Sequence, residues 1–216
     1  MIPGWYGGLD PGGTERQVLD PVPEPGASDD RSLRVTTGVC LLSNTALCGD
    51  ISYRGASCDW LHIDHDGQVN AVESRMRLVN SSFRGAANAP WRIRVKDCSL
   101  EIVDGSVQGN LLAEGGVLTL ERCRIQGDVT LDNHCLKIER TRIEGSLTLR
   151  AQGLELGADV QVRELVLRPP KALAPGRSWD GIVNVFLRPG AHCEFVRVDA
   201  PGCRVYRQEC GVWRPV

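Results

Sequence analysis

Methionine, phenylalanine and tyrosine are scarce in this sequence, at two, three and three of 216 residues. An excess of positive charge is also missing: 25 basic against 27 acidic residues leave a net -2. That excludes a protein holding nucleic acid by bulk charge, so no nucleic-acid partner is expected. No apolar run approaches the ~18 residues of a membrane-crossing helix, so no transmembrane segment is expected. No basic segment followed by an apolar stretch opens the chain; the expected compartment is therefore the cytoplasm. No Cys-x-x-Cys pair occurs, and the nine cysteines are odd in number, which argues against a complete disulfide framework. They read as reduced, small core residues. His192, Cys193, Cys203 and Cys210 match no zinc-knuckle spacing, so no metal site is expected from them. Neither a Gly-x-Ser-x-Gly elbow nor a phosphate-binding glycine loop is present, and no cofactor is expected.

Glycine, by contrast, is abundant at 24 residues, alongside 42% hydrophobic residues. Together they suit a turn-rich all-β domain with a real core. Three segments align without gaps at a period of 18: LEIVDGSVQGNLLAEGGV from Leu100, LTLERCRIQGDVTLDNHC from Leu118 and LKIERTRIEGSLTLRAQG from Leu136. In one apolar column Leu118, Leu136 and Leu154 follow Leu100; in the next, Leu120, Ile138 and Leu156 follow Ile102. Ile125 and Ile143 form a third, Val129 and Leu147 a fourth, Leu131 and Leu149 a fifth. Upstream, a single step of 24 from Leu100 reaches Met76, and two further steps of 18 reach Cys58 and Cys40. The six extra residues fall around Ala89, Pro90 and Trp91 and predict a loop leaving a corner. A glycine column confirms the register: Gly49, Gly67, Gly85, Gly109, Gly127 and Gly145. It marks a sharp turn or a close approach between backbones.

Inward parity changes within each period, and each change marks a corner. A period of 18 with repeated corners describes one coil of a parallel β-helix, whose apolar face is buried only by stacking on its neighbours. Seven clear coils, with room for two more, make a rod of roughly 34 Å at ~4.8 Å per coil. The aliphatic-every-sixth rule of left-handed β-helices fails, since Arg124 and Thr130 follow Leu118 at that interval; the right-handed form is preferred. Near Val160 and Val162 a one-residue slip would turn both valines inward. Three regions follow: an acidic, Pro- and Gly-rich arm over 1–33, the β-helix over 34–168, and over 169–216 a loop followed by imperfect coils or a β-cap. The arm holds five prolines and six acidic residues against two arginines, and has the composition of a flexible or extended segment.

Stacked outward columns would reveal a catalytic face, because residues 18 apart become neighbours. They carry mixed, scattered charge, with no adjacent carboxylate pair of the kind that glycoside hydrolysis needs. No catalytic residue is assigned. In the segment HIDHD the register turns His65 inward and Asp64 and Asp66 outward, with His62 near a corner. That splits the one local group of ligand-type residues, and no metal is expected there.

At IQGDVTL (Ile125 to Leu131) and IEGSLTL (Ile143 to Leu149) the sequence resembles the bactofilins, polymer-forming bacterial cytoskeletal proteins. The resemblance covers residues 100–167 most closely. It implies a right-handed β-helix that self-associates end to end, with the arm recruiting partners or touching a membrane surface. The candidate interface is then the first coil, at Cys40 and Leu42, with Trp5 and Tyr6 in the arm and Trp91 at the insertion. The expected partner is a second copy or another protein. Two alternatives stay open: a β-helical adaptor within a larger complex, and a carbohydrate-active β-helix enzyme.

Overall fold

The computed structural model describes residues 6–9, 15–18, 33–85, 89–132, 135–150, 153–168, 184–199 and 203–216. Among them there are strands and turns but no helix. The chain winds into a parallel β-helix of about eight turns. Each coil is bonded in register to the next: Leu100 pairs with Leu118 and Leu118 with Leu136. Ile102, Leu120, Ile138 and Leu156 form one continuous ladder. Across the insertion the step of 24 holds, with Met76 opposite Leu100 and Phe83 opposite Val107. The slip near Val160 is also present: Ile143 pairs with Val162, and both Val160 and Val162 are buried. Of the expected core columns only Leu136 is half-buried.

Three corners give each coil a triangular section, and each is built differently. The first turns through left-handed backbone at Thr37, Gly55, Glu73, Asp97 and Gly115. The second does so at Asn44, His62, Asn80, Asp104, Arg122, Arg140 and Asp159, all polar, with φ between 47° and 56°. Asn and Asp tolerate this conformation best, and β-branched residues least. The third corner is the glycine column. Gly49, Gly67, Gly85 and Gly109 have positive φ there. Gly127 and Gly145 are needed for a different reason, because a Cβ on Gly127 would stand 2.5 Å from the carbonyl of Gly109 and one on Gly145 2.6 Å from that of Gly127.

Small polar residues staple the first two corners. The Ser74 hydroxyl donates to the Val72 carbonyl and accepts the Ala56 amide of the preceding coil. Ser81 repeats this with Val79 and Ile63, and Thr141 with Glu139 and Cys123. Cys98 plays the same part, its thiol donating to Lys96 and accepting from Ser74. Cys123 donates to Ile102 and Glu121. Several cysteines are thus corner staples as well as core residues. Burial pushes the Cys98 thiol pKa up, and that of Cys123 up to about 11.

Beyond residue 168 the coil continues and is then capped. Val185 and Leu187 stack on Leu154 and Leu156, and Val205 on Val185. In this last stretch Cys193, not His192 or Glu194, takes the inward place opposite Val162. The strand Val212–Pro215 then folds back antiparallel on Arg204–Glu209. Trp213 packs edge-on against Phe186, which is stacked on Tyr206 at 5.3 Å, and these rings fasten the cap to the outer wall.

Two stretches of the expected arm are described, and both are extended. Tyr6–Leu9 pairs antiparallel with Glu15–Val18, and the latter lies parallel on Val39, Cys40 and Leu41 of the first coil. The physical reason is the open coil edge: a row of unpaired amides and carbonyls accepts any adjacent proline-free segment.

Candidate functional site: the ends of the rod

The rod has two ends and they are not alike. At the N-terminal end the core columns finish buried: Val35 is 2% exposed, Cys40 1% and Leu42 4%. The strand Glu15–Val18 covers the backbone edge beside Cys40. Cys40 and Leu42, the residues named above for the first-coil interface, are thus buried in the core columns, with their backbone edge beside the Glu15–Val18 strand. Trp5 lies outside the described residues. Tyr6 begins the outer strand of the N-terminal hairpin. Trp91 is half-buried beside the insertion, away from both ends.

At the C-terminal end the strand His192–Val198 is bonded on one side to Gln161–Leu167. Among the described residues nothing pairs with its other side. Val196 and Val198 continue the core columns of Leu165 and Leu167, yet they are 39% and 45% exposed, and neighbouring Phe195 is 63% exposed. Inward-facing valines left half bare mark a core column that, among the described residues, stops without a lid. The adjoining wall is closed differently: Val212–Pro215 covers Arg204–Glu209, and its own outer edge carries Arg214 and Pro215. Charge and proline blunt an edge against further pairing, so the open part of this end is the strand that ends at Val198.

The expected split of HIDHD is what the side chains show. His62 is at a corner with φ 55°. Asp64 faces outward to the Ser82 hydroxyl and Arg84. His65 is 1% exposed; its Nε2 lies 3.0 Å from the Gly49 carbonyl, and its ring sits edge-on to Trp60 and Phe83. Burial lowers its pKa, so the ring is neutral. Cys193 is buried, Cys203 half-buried and Cys210 exposed in the cap's turn. No three His, Cys, Asp or Glu residues converge among the described residues.

Sequence reasoning missed Arg92. It is buried where the insertion rejoins the coil, and its guanidinium donates to the carbonyls of Gly67 at 2.9 Å and Gln108 at 3.3 Å. Those carbonyls belong to the coils on either side of the gap, so one side chain replaces the backbone that the loop removes. A basic residue directly after an insertion was its only sequence signal.

Comparison with known proteins finds no matching family model, no matching curated protein and no matching solved structure.

Proposed function

We propose that this protein is a non-catalytic structural scaffold of bactofilin type, which joins a second copy of itself through the C-terminal end of the rod. The reading rests on one observation: Val196 and Val198, core-column residues beside a strand edge that nothing pairs with among the described residues, are left half exposed. A strand added there would satisfy the backbone and bury both valines in one step, the β-augmentation mode. The walls offer less. Their ion pairs, such as Arg77 with Glu101 and Arg94 with Glu114, are solvent-exposed, and exposed pairs contribute only ~0–1 kcal/mol. The turns IQGDVTL and IEGSLTL agree with this class of protein, and the role needs neither a reactive centre nor a cofactor.

The test is sizing by light scattering, with negative-stain microscopy, of the full chain and of Val196→Lys/Val198→Lys. Both side chains are already half exposed, so the variant should keep its β circular dichroism. The expected result is a concentration-dependent assembly that the double variant reduces to monomer. A wild-type chain that stays monomeric at every concentration, or a variant that assembles like wild type, overturns the proposal.

A further inference from the structure

The second corner forms a groove of about 490 Å³ along the rod. Its floor is made of the small inward residues Ser81, Gly105, Cys123 and Thr141. One wall is the left-handed corner column and the other is formed by the residues two positions on. At its centre two successive coils repeat one pattern, Arg122-Cys123-Arg124 and Arg140-Thr141-Arg142. Arg124 pairs with Arg142. The pairing of Glu121 with Glu139 just before sets Arg122 beside Arg140. Four arginines thus occupy a two-by-two array of backbone positions lining the groove, with neighbouring coils ~4.8 Å apart.

Like charges directly opposite on paired strands destabilise a sheet, and the acids around this array only partly compensate. Arg122 is fully engaged: it is bidentate to Asp104 at 2.6 and 2.8 Å and also pairs with Glu121. A single carboxylate, Glu144, serves both Arg124 at 2.7 Å and Arg142 at 3.7 Å. Among the described residues Arg140 makes no ion pair, although Asp159 follows it on the same wall. Arg140 and Arg142 therefore face the groove with half a carboxylate between them, where one further anion would relieve the repulsion.

We propose that this groove binds a tetrahedral oxyanion of the phosphate or sulfate type between Arg140 and Arg142, with Arg124 as an outer donor. A planar carboxylate is satisfied by one guanidinium fork. A tetrahedral oxyanion has oxygens enough for two guanidinium forks at once, here from Arg140 and Arg142 of one coil, and for a further donor from Arg124 of the coil before. The site lies on the wall of the rod and does not depend on how its ends associate.

Calorimetric titration of the full chain with inorganic phosphate and with sulfate, at low ionic strength, tests the proposal. Co-sedimentation with phosphatidic-acid vesicles against phosphatidylcholine vesicles distinguishes a free anion from a lipid headgroup. Saturable binding is expected, weakened at least about tenfold in Arg140→Gln/Arg142→Gln, since each charge-assisted fork lost is worth about that factor. Glu144→Gln should tighten binding, because it frees Arg124 and Arg142; a merely structural role for the arginines would not produce that gain. Arg140→Gln/Arg142→Gln should also melt higher than wild type without phosphate and lose any rise on its addition. Absence of saturable binding to phosphate, sulfate and phosphatidic acid overturns the proposal. So does binding that Glu144→Gln fails to tighten, even should the arginine variant prove misfolded.

Discussion

Replacing Gly127 with alanine separates two reasons for keeping a glycine. Gly127 has no positive φ, so its backbone suits alanine. The obstacle is space: the added Cβ would meet the carbonyl carbon and oxygen of Gly109, both at 2.5 Å, and Asn110 Oδ1 at 2.6 Å. Two of these atoms are backbone, and that backbone is fixed by the coil ladder, where the Leu111 amide donates to Asp128. The neighbouring coil must move, and overpacking of this kind costs about 1–3 kcal/mol or more. Gly55 is the control. It has φ +62°, but a Cβ there meets only Thr37, at 3.8 Å. Gly55→Ala should therefore cost about 1–2 kcal/mol, for left-handed conformation alone. Gly55→Asn should cost less, because Asn is tolerated in this conformation. Urea unfolding followed by circular dichroism would rank the variants, and Gly127→Ala should have the lowest midpoint. If Gly127→Ala is as stable as wild type, or costs less than Gly55→Ala, close approach between coils does not explain the glycine column.

Acid should weaken the fold through His65. Burial holds its pKa below the usual value, so below ~6.5 the unfolded chain takes up a proton that the folded chain refuses. Its contribution is complete above that pH and falls by up to ~1.4 kcal/mol per unit as the pH drops toward the folded pKa. Urea midpoints at several pH values should fall less steeply in His65→Phe, and equal slopes would sink the assignment. Arg92→Met leaves the Gly67 and Gln108 carbonyls without their donor and should cost about 2–6 kcal/mol, at ~1–3 kcal/mol for each orphaned group; a neutral result in thermal unfolding would refute its bridging role. Cys98→Ser should be nearly neutral, since Ser74 and Ser81 staple corners with the same bonds. Cys98→Val should cost about 1–3 kcal/mol, because the Ser74 amide loses its acceptor; equal midpoints for the two would count against the staple.

The fold was legible because a β-helix repeats its core. Eighteen-residue spacing put Leu118 on Leu136 and Ile125 on Ile143, and the glycine column fixed the one irregular step. The corners were harder to read. A left-handed residue is selected for backbone freedom, so Asn80, Asp104, Arg122 and Arg140 share a column without sharing chemistry. Their common property is what they are not: none is apolar or β-branched. The staples hid for a related reason. Serine, threonine and cysteine all supply one short donor that reaches the carbonyl two residues back, so Ser81, Cys123 and Thr141 are equivalent in function and unlike in composition.

The ends escaped sequence reading because pairing there depends on the backbone. Glu15–Val18 has four residues, too few for periodicity to register, and its neighbours are rich in proline and glycine. Composition pointed to a flexible or extended arm without saying where it would pair, and its strand Glu15–Val18 lies on the edge at Val39–Leu41. At the other end Val196 and Val198 have the spacing of ordinary core residues, and nothing in their identity says that no coil follows. Exposure of that column depends on where the chain turns outward to form its cap, at Arg204–Glu209 and Val212–Pro215, which covers one wall and leaves the next uncovered. A repeat protein thus shows its interior in its period. Its contact surfaces lie where the period stops, and there a residue must be judged by what fails to cover it.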